Sequence, residues 1–478
     1  MNCSGPRHTG SQRRERRGSD IPEPNDRPEP GGRAASGGDA DPPFLADALA
    51  EVPHTASELI AIDTTNVGDV DALGRERPAA QYVAERLSDA GYLPTYLESG
   101  ARGRGNVVVR LTGSQPARPA LLVHGHLDVV PADPAEWSVH PFSGEIRDGY
   151  VWGRGAVDMK GTLAAVLALA RQYRLHGVTP RRDLIFAFLA DEEAGGTVGA
   201  RWLVEHRPDL FADANEAVSE VGGFSVSLPN GARAYLVETA EKSVVRLDLT
   251  ARGRAGHASM IHPDNAVARL AAAVARLHEH RFPVVLTEPM RLLLEGIADL
   301  SGIAFEPSDP QAAIDRLGPV SRLLGAALRD TANLTVFDAG YKKNVIPSVA
   351  HAHVNGRVLP GRESRFIEEV AEVLGPEIEL CCDQLPAVQT EFDGALVEAM
   401  AAAVNAEDPG ARLLPYLLSA ATDAKSFARL GIRHFGFAPL RLPAGLDFTA
   451  LFHGVDERVP VDALLFGTRV LDRLLRTC

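Results

Sequence analysis

From Phe44 onward, apolar positions recur in two alternating periods. The short runs "NVVVRL" (106–111) and "ALLVHGH" (120–126) predict strands. "KGTLAAVLALARQYRLHG" (160–177) instead sets Leu163, Val166, Leu167, Ala170 and Tyr173 on one helical face. "DLIFAFLADEE" (183–193) is almost continuously apolar, as strands buried on both faces of a parallel sheet are. "VGARWLVEH" (198–206) returns to a helical pattern. This strand and helix rhythm predicts an α/β fold, layered on a mostly parallel sheet.

Around Glu241 the period changes. "KSVVRLDLTARG" (242–253) and "VAHAHVNGRVLPG" (349–361) alternate with period two, the mark of half-exposed antiparallel strands, and a helix is expected over Pro263 to His280 between them. An α+β domain inserted at 241–360 fits this shift. It would divide the larger domain into 43–240 and 361–478, with a last helix near Val461–Arg476. Residues 1–42, rich in Gly, Pro, Ser, Arg and Asp, lack the large apolar side chains needed to offset ordering entropy, and are expected to form a disordered tail.

Composition narrows the class. A chain of 478 residues exceeds what one core usually organises, so two domains are expected. A formal net charge of −14 argues against a nucleic-acid partner. The cysteines Cys3, Cys381, Cys382 and Cys478 form no CxxC pair, so neither a disulfide framework nor a thiolate zinc site is expected, and Cys381–Cys382 read as buried apolar residues. No apolar run reaches the ~18–20 residues of a membrane span. The basic "RRERR" lacks the apolar stretch of a secretory signal, which makes a soluble cytoplasmic protein the expectation.

Ligand sites of open α/β sheets lie outside the carboxyl ends of the strands. His126 and Asp128 follow "ALLV", Glu192 and Glu193 follow "LIFAFLA", and Glu220 ends "EAVSE". Asp158 stands in the loop "WGRGAVDMKG", and His453 in "TALFHGVDERVP". Carboxylates gathered at one rim repel one another, and divalent cations relieve that repulsion. Imidazole and carboxylate donors without thiolate suit catalytic zinc, with cobalt and manganese as alternatives.

"HGHLDVVP", "GRGAVDMKG", "ADEEAGG", "SEVGG" and "FHGVDE", in this order, resemble the M20 metallopeptidase family of aminoacylases, carboxypeptidases, dipeptidases and acyl-amino-acid deacylases. "YKKNVIPSVAHAHVNGRVLPG" (341–361) is similar to the branch with carboxypeptidase S and the N-acyl-amino-acid hydrolases. The resemblance implies a catalytic domain with an inserted lid and dimerisation domain, and two divalent metal ions. His126 and Glu220 would hold one ion, Glu193 and His453 the other, with Asp158 bridging. Asp128 would stand behind His126 and fix its tautomer. Glu192 would be the general base on a metal-bound water and pass its proton to the leaving amine. His257, in "GRAGHAS", would reach the partner subunit's site in a homodimer and steady the oxyanion. Arg357 and Asn344 would bind the substrate carboxylate, with Asn355 standing where many relatives carry Asp.

The implied activity is hydrolysis of a peptide or N-acyl amide bond beside a free carboxylate. Rival readings are a desuccinylase-like deacylase of the diaminopimelate pathway, a carbamoyl amidohydrolase, and an inactive relative that only binds. His124 is expected to pack rather than ligate, and His351 and His353 to lie on a solvated strand face. Asp191 is expected to cap a turn or support the ligands, and Thr422 and Asp423 fall in a segment, "TDAKSF", that resembles one near the substrate.

Overall fold

The computed structural model describes residues 41–69, 74–98 and 102–478. The expected tail lies, up to residue 40, outside the described residues. The large sheet runs in the order Thr95–Glu98, Gly105–Leu111, Leu184–Leu189, Ala120–His126, Ala214–Ser219, Arg433–Gly436, Arg233–Glu241 and Val388–Gln389. Its centre is parallel: Ala120–His126 pairs in parallel with Leu184–Leu189 and Ala214–Ser219, and the latter with Arg433–Gly436. Antiparallel pairs close both margins. This is the expected layered α/β class.

The continuous apolar run of Leu184–Leu189 has a direct cause. Side chains alternate across a sheet. Leu184, Phe186 and Phe188 enter one core with Leu163 and Leu167 of helix Lys160–Leu175 and with helices Pro43–Ala61 and Val461–Thr477. Ile185, Ala187 and Leu189 enter another with Leu203, Phe211 and Phe427. Both faces are covered, so neither admits a polar residue.

A second sheet, wholly antiparallel, runs Thr331–Ala339, Val349–Val358, Ser243–Arg252, Ile378–Leu385. Val245, Leu247, Leu249 and Ala251 face helices Ala266–Glu279 and Glu363–Leu374 in a core of their own. The first of these helices starts where the Asn265 side chain accepts the backbone N–H groups of Val267 and Ala268, inside the expected 263–280 span. Phe366 packs where a Cβ on Gly356 would lie 2.8 Å from its ring, which makes glycine the fitting residue in that strand.

The division expected at 360 does not coincide with packing. Phe366, Val370, Leu374 and Ile378 belong to the second core. Conversely, helices Glu288–Ser301, Pro310–Ile314 and Ser321–Gly325 return Met290, Leu293, Ile314 and Leu324 to the first. Buried Lys425 donates to the carbonyls of Lys242 (2.8 Å) and Pro386 (2.9 Å), beside two points where the chain passes between sheets. Cys381 and Cys382 are exposed, not buried, because Ile378–Leu385 is an edge strand. Among the described residues, no helix is long and apolar enough to cross a membrane.

Candidate metal centre

The parallel register aligns the strand exits. His126 lies opposite Leu189, so the turn after Leu189 begins beside it, and Val123 opposite Val218 brings Glu220 to the same rim. His126 is 1% exposed. Its Nδ1 lies 2.9 Å from the Asp128 backbone carbonyl. A carbonyl only accepts, so Nδ1 carries a proton and Nε2 is the nitrogen left to face the rim. Nε2 faces Asp158 Oδ1 at 3.1 Å and Glu220 Oε2 at 3.2 Å.

Asp128 therefore fixes the imidazole through its backbone; its nearer carboxylate oxygen stands 3.7 Å from Nδ1. The side chain does something that sequence parity did not show. Oδ1 accepts the N–H of Glu192 at 3.1 Å, while Oδ2 accepts the N–H of Glu193 at 3.1 Å and the Asn66 amide at 2.9 Å. It holds the turn that carries the glutamate pair. In that turn Asp191 adopts φ 71°, a left-handed conformation unfavourable for a residue with a Cβ, and its carboxylate accepts from Val198 N at 3.0 Å and Asn66 at 3.2 Å.

The turn separates the neighbouring glutamates. Glu193 Oε2 lies 3.1 Å from His453 Nε2, whereas Glu192 Oε2 lies 3.9 Å from His126 Nε2. His453, also left-handed at φ 56°, meets Asp158 Oδ2 at 3.4 Å. Asp158 thus turns one oxygen to each histidine. Its loop is anchored by buried Glu457, which accepts the N–H of Val157 (2.7 Å) and Asp158 (3.1 Å) and pairs with Arg154 at 2.7 Å.

Two sets of donor atoms each lie within 4.8 Å of one another: His126, Asp158 and Glu220, and Asp158, Glu193 and His453. The electrostatics are those of a crowded anionic site. Burial pushes the Glu220 carboxyl up to about 8, against the pull of His126. Burial and neighbouring Glu220 drive Glu192 well above the carboxylate range. Asp158 is held well below it by His126 and His453 despite burial. Hydrogen bonds to Asp158 and Glu193 lift His453 to about 10. Glu193 Oε1 is buried without a hydrogen-bond partner. Nitrogen and oxygen donors in two triads sharing one carboxylate fit a pair of divalent cations.

Other expected residues lie elsewhere. His257 is exposed on the two-residue strand Gly256–His257, its Nδ1 2.8 Å from Ser259 Oγ, and the carbonyl of exposed Asn344 accepts the N–H of Ala258 at 3.2 Å. These two form one patch, and among the described contacts none joins it to His126 or His453. Half-buried Arg357 donates to Asn355 Oδ1 at 3.0 Å, so Asn355 does support it. Thr422 lines the cavity beside the glutamates and also donates to buried Glu241. Asp423 is buried with one oxygen unpartnered. His124 contacts His434 at 3.0 Å, not the ligands. His351 and His353 meet Thr250 and Asp248 in exposed pairs across the strands. Sequence reasoning passed over Asn66, Arg154 and Glu457; Arg154 and Glu457 had a signal, their places in "GRGAVDMKG" and "FHGVDE".

The chain is similar to known proteins in sequence and in fold. The chain is 30% identical over 395 residues to a probable carboxypeptidase S-like 2 of Dictyostelium discoideum, covering 77% of this chain and 73% of that one. It is 30% identical over 371 residues to the N-fatty-acyl-amino acid synthase/hydrolase PM20D1 of Homo sapiens, covering 74% and 73%. The fold matches an M20 family metallo-carboxypeptidase of Sulfolobus solfataricus with a TM-score of 0.67 at 19% identity, over 89% of this chain and 98% of that one. The sequence profile of peptidase family M20/M25/M40 matches residues 122–477, and the chain belongs to this family of hydrolases.

Proposed function

We propose that the protein is a zinc-dependent di-metal hydrolase of N-acyl amino acids or short peptides, cleaving an amide bond beside a free carboxylate. The observation that carries this reading is Asp158, shared by both donor triads, with Glu192 at the same cavity. His126 and Glu220 would hold one ion, Glu193 and His453 the other, and Asp158 both. Bound there, the cations would supply Lewis-acid stabilisation of the carbonyl and acidify water from a pKa of ~15.7 towards ~7.

The chain's own residues do the rest. Glu192, beside Glu220 at the rim, takes a proton as its carboxylate from the attacking water and then, as the carboxylic acid, delivers it to the leaving amine nitrogen. Asp128 fixes the backbone on which Glu192 rides. Arg357 and Asn344, on the second sheet's side, bind the substrate carboxylate. His257 serves the site of a second copy in a homodimer, steadying the oxyanion. Exposed Met260, Ile261 and Tyr341 near this histidine, and Leu334, Val336 and Phe337 on edge strand Thr331–Ala339, support such an interface. The second sheet is the lid and dimerisation domain, and the cytoplasm is the proposed compartment.

The test is hydrolysis of a panel of acylated amino acids by chelator-stripped protein reloaded with zinc, cobalt or manganese. Turnover that is lost on stripping and absent for amides lacking the carboxylate is expected. No turnover by protein holding both ions would overturn the reading in favour of a binding protein.

A further inference from the structure

The candidate ligands form only one wall of their cavity, a space of about 260 Å³. Much of the rest is apolar: Val221, Phe224, Leu323, Leu418 and Phe452. No Lys or Arg lines it. A substrate of the proposed kind has two unlike arms, one anionic and one not. Away from the ligand wall, enclosing a carboxylate among these apolar side chains is costly, so that part of the cavity suits the uncharged acyl arm.

Phe224 and Thr449 also line a second space of about 100 Å³ of mixed character, together with Ser225, Ser227, Leu317 and Leu442. The partition is aromatic: Phe224 lies 5.3 Å from Phe448, centroid to centroid, and Phe448 meets Phe452 edge-on at 5.3 Å. The first chamber alone is smaller than the ~300–1,000 Å³ of pockets that bury a drug-sized ligand. A long chain must therefore pass Phe224 and Thr449 or stay outside.

We propose that Phe224 and Thr449 form a gate between this apolar chamber and the second, mixed one, and that the gate sets the acyl-chain length best cleaved. This rests on the reading under Proposed function. Phe224 is 3% exposed and packed against Phe448, and half-buried Thr449 is the other residue common to both linings, so these two side chains stand where the spaces adjoin.

The experiment compares wild type, Phe224→Ala, Thr449→Phe and Thr449→Ala on butanoyl-, octanoyl- and hexadecanoyl-phenylalanine. It measures kcat/KM of the zinc-loaded protein and, separately, binding of the same series to metal-stripped protein. Thr449→Phe should lower the hexadecanoyl-to-butanoyl ratio about tenfold, and Phe224→Ala and Thr449→Ala should raise it, within the range apolar pockets discriminate. If Phe224→Ala fails to fold, the two Thr449 variants carry the test. Folded variants with unmoved ratios in both measurements overturn the gate. So does a shift confined to a parallel series with the acyl group fixed and the amino-acid side chain varied. Absence of turnover in zinc-loaded wild type overturns the hydrolase reading instead, and the binding series still decides the gate.

Discussion

Glu457 Oε1 accepts the backbone N–H of Asp158 at 3.1 Å, so the carboxylate shared by both donor triads is positioned by another carboxylate from 299 residues away. The same side chain pairs with Arg154, and both are buried. Glu457→Ala leaves that guanidinium without its partner and the Asp158 loop without its acceptor. Removing one member of a buried pair costs about 3–5 kcal/mol. Denaturant unfolding should show this loss, and metal analysis should show reduced occupancy at equal total metal.

Glu192 and Glu193 are neighbours with separable roles. Glu192→Gln is expected to lower kcat by about 10²–10⁴ while bound metal is retained. Glu193→Gln should instead weaken metal retention, since Glu193 faces His453 at 3.1 Å. Steady-state kinetics paired with metal content on the same samples separates the two; equal metal loss in both variants would sink the distinction.

Asp128→Asn tests the turn. Asp128 accepts three N–H donors, and an amide turns one acceptor into a donor facing another. About 1–3 kcal/mol should be lost, the cost of an unsatisfied buried group. Metal affinity should fall about 10–100-fold, as for residues that support ligands. Denaturant unfolding reads the first and calorimetric metal titration of the stripped protein the second.

Glu238, which is in neither donor triad, gives a pH signature of its own. Burial pushes its carboxyl up to about 8, with Lys425 opposing. The folded state then keeps a proton that the unfolded chain releases from about pH 4.5 upward, so this group makes stability fall as pH rises towards about 8, by up to ~1.4 kcal/mol per pH unit. Glu238→Gln removes the term. Its denaturation free energy should therefore decline less than that of wild type between about pH 5 and about pH 8. Parallel pH profiles would refute the assignment.

Where the chain's own pattern was informative, its physical basis is local. Alternation in Ser243–Arg252, the doubly buried run Leu184–Leu189 and the helix expected over 263–280 each depend on neighbours within a few residues. His126, Glu193 and Glu220 were nameable because strand exits in an α/β sheet share one rim, and Asp158 and His453 because "GRGAVDMKG" and "FHGVDE" resemble family motifs. Asn66 and the carboxylate role of Asp128 were not, since their partners are selected by loop geometry. The helices between Glu288 and Gly325 likewise gave no sign of which core they would join.

The amino-acid order alone determined the two kinds of sheet, the layered class and the chemistry available at the rim, because periodicity and residue type are properties of short segments. Only the folded chain decided that Asp158 divides its oxygens between two histidines, that Asp128 steadies a backbone turn, and that the second core extends to Ile378. Those outcomes depend on contacts between residues tens to hundreds of positions apart, whose distances are set by packing rather than by spacing along the chain.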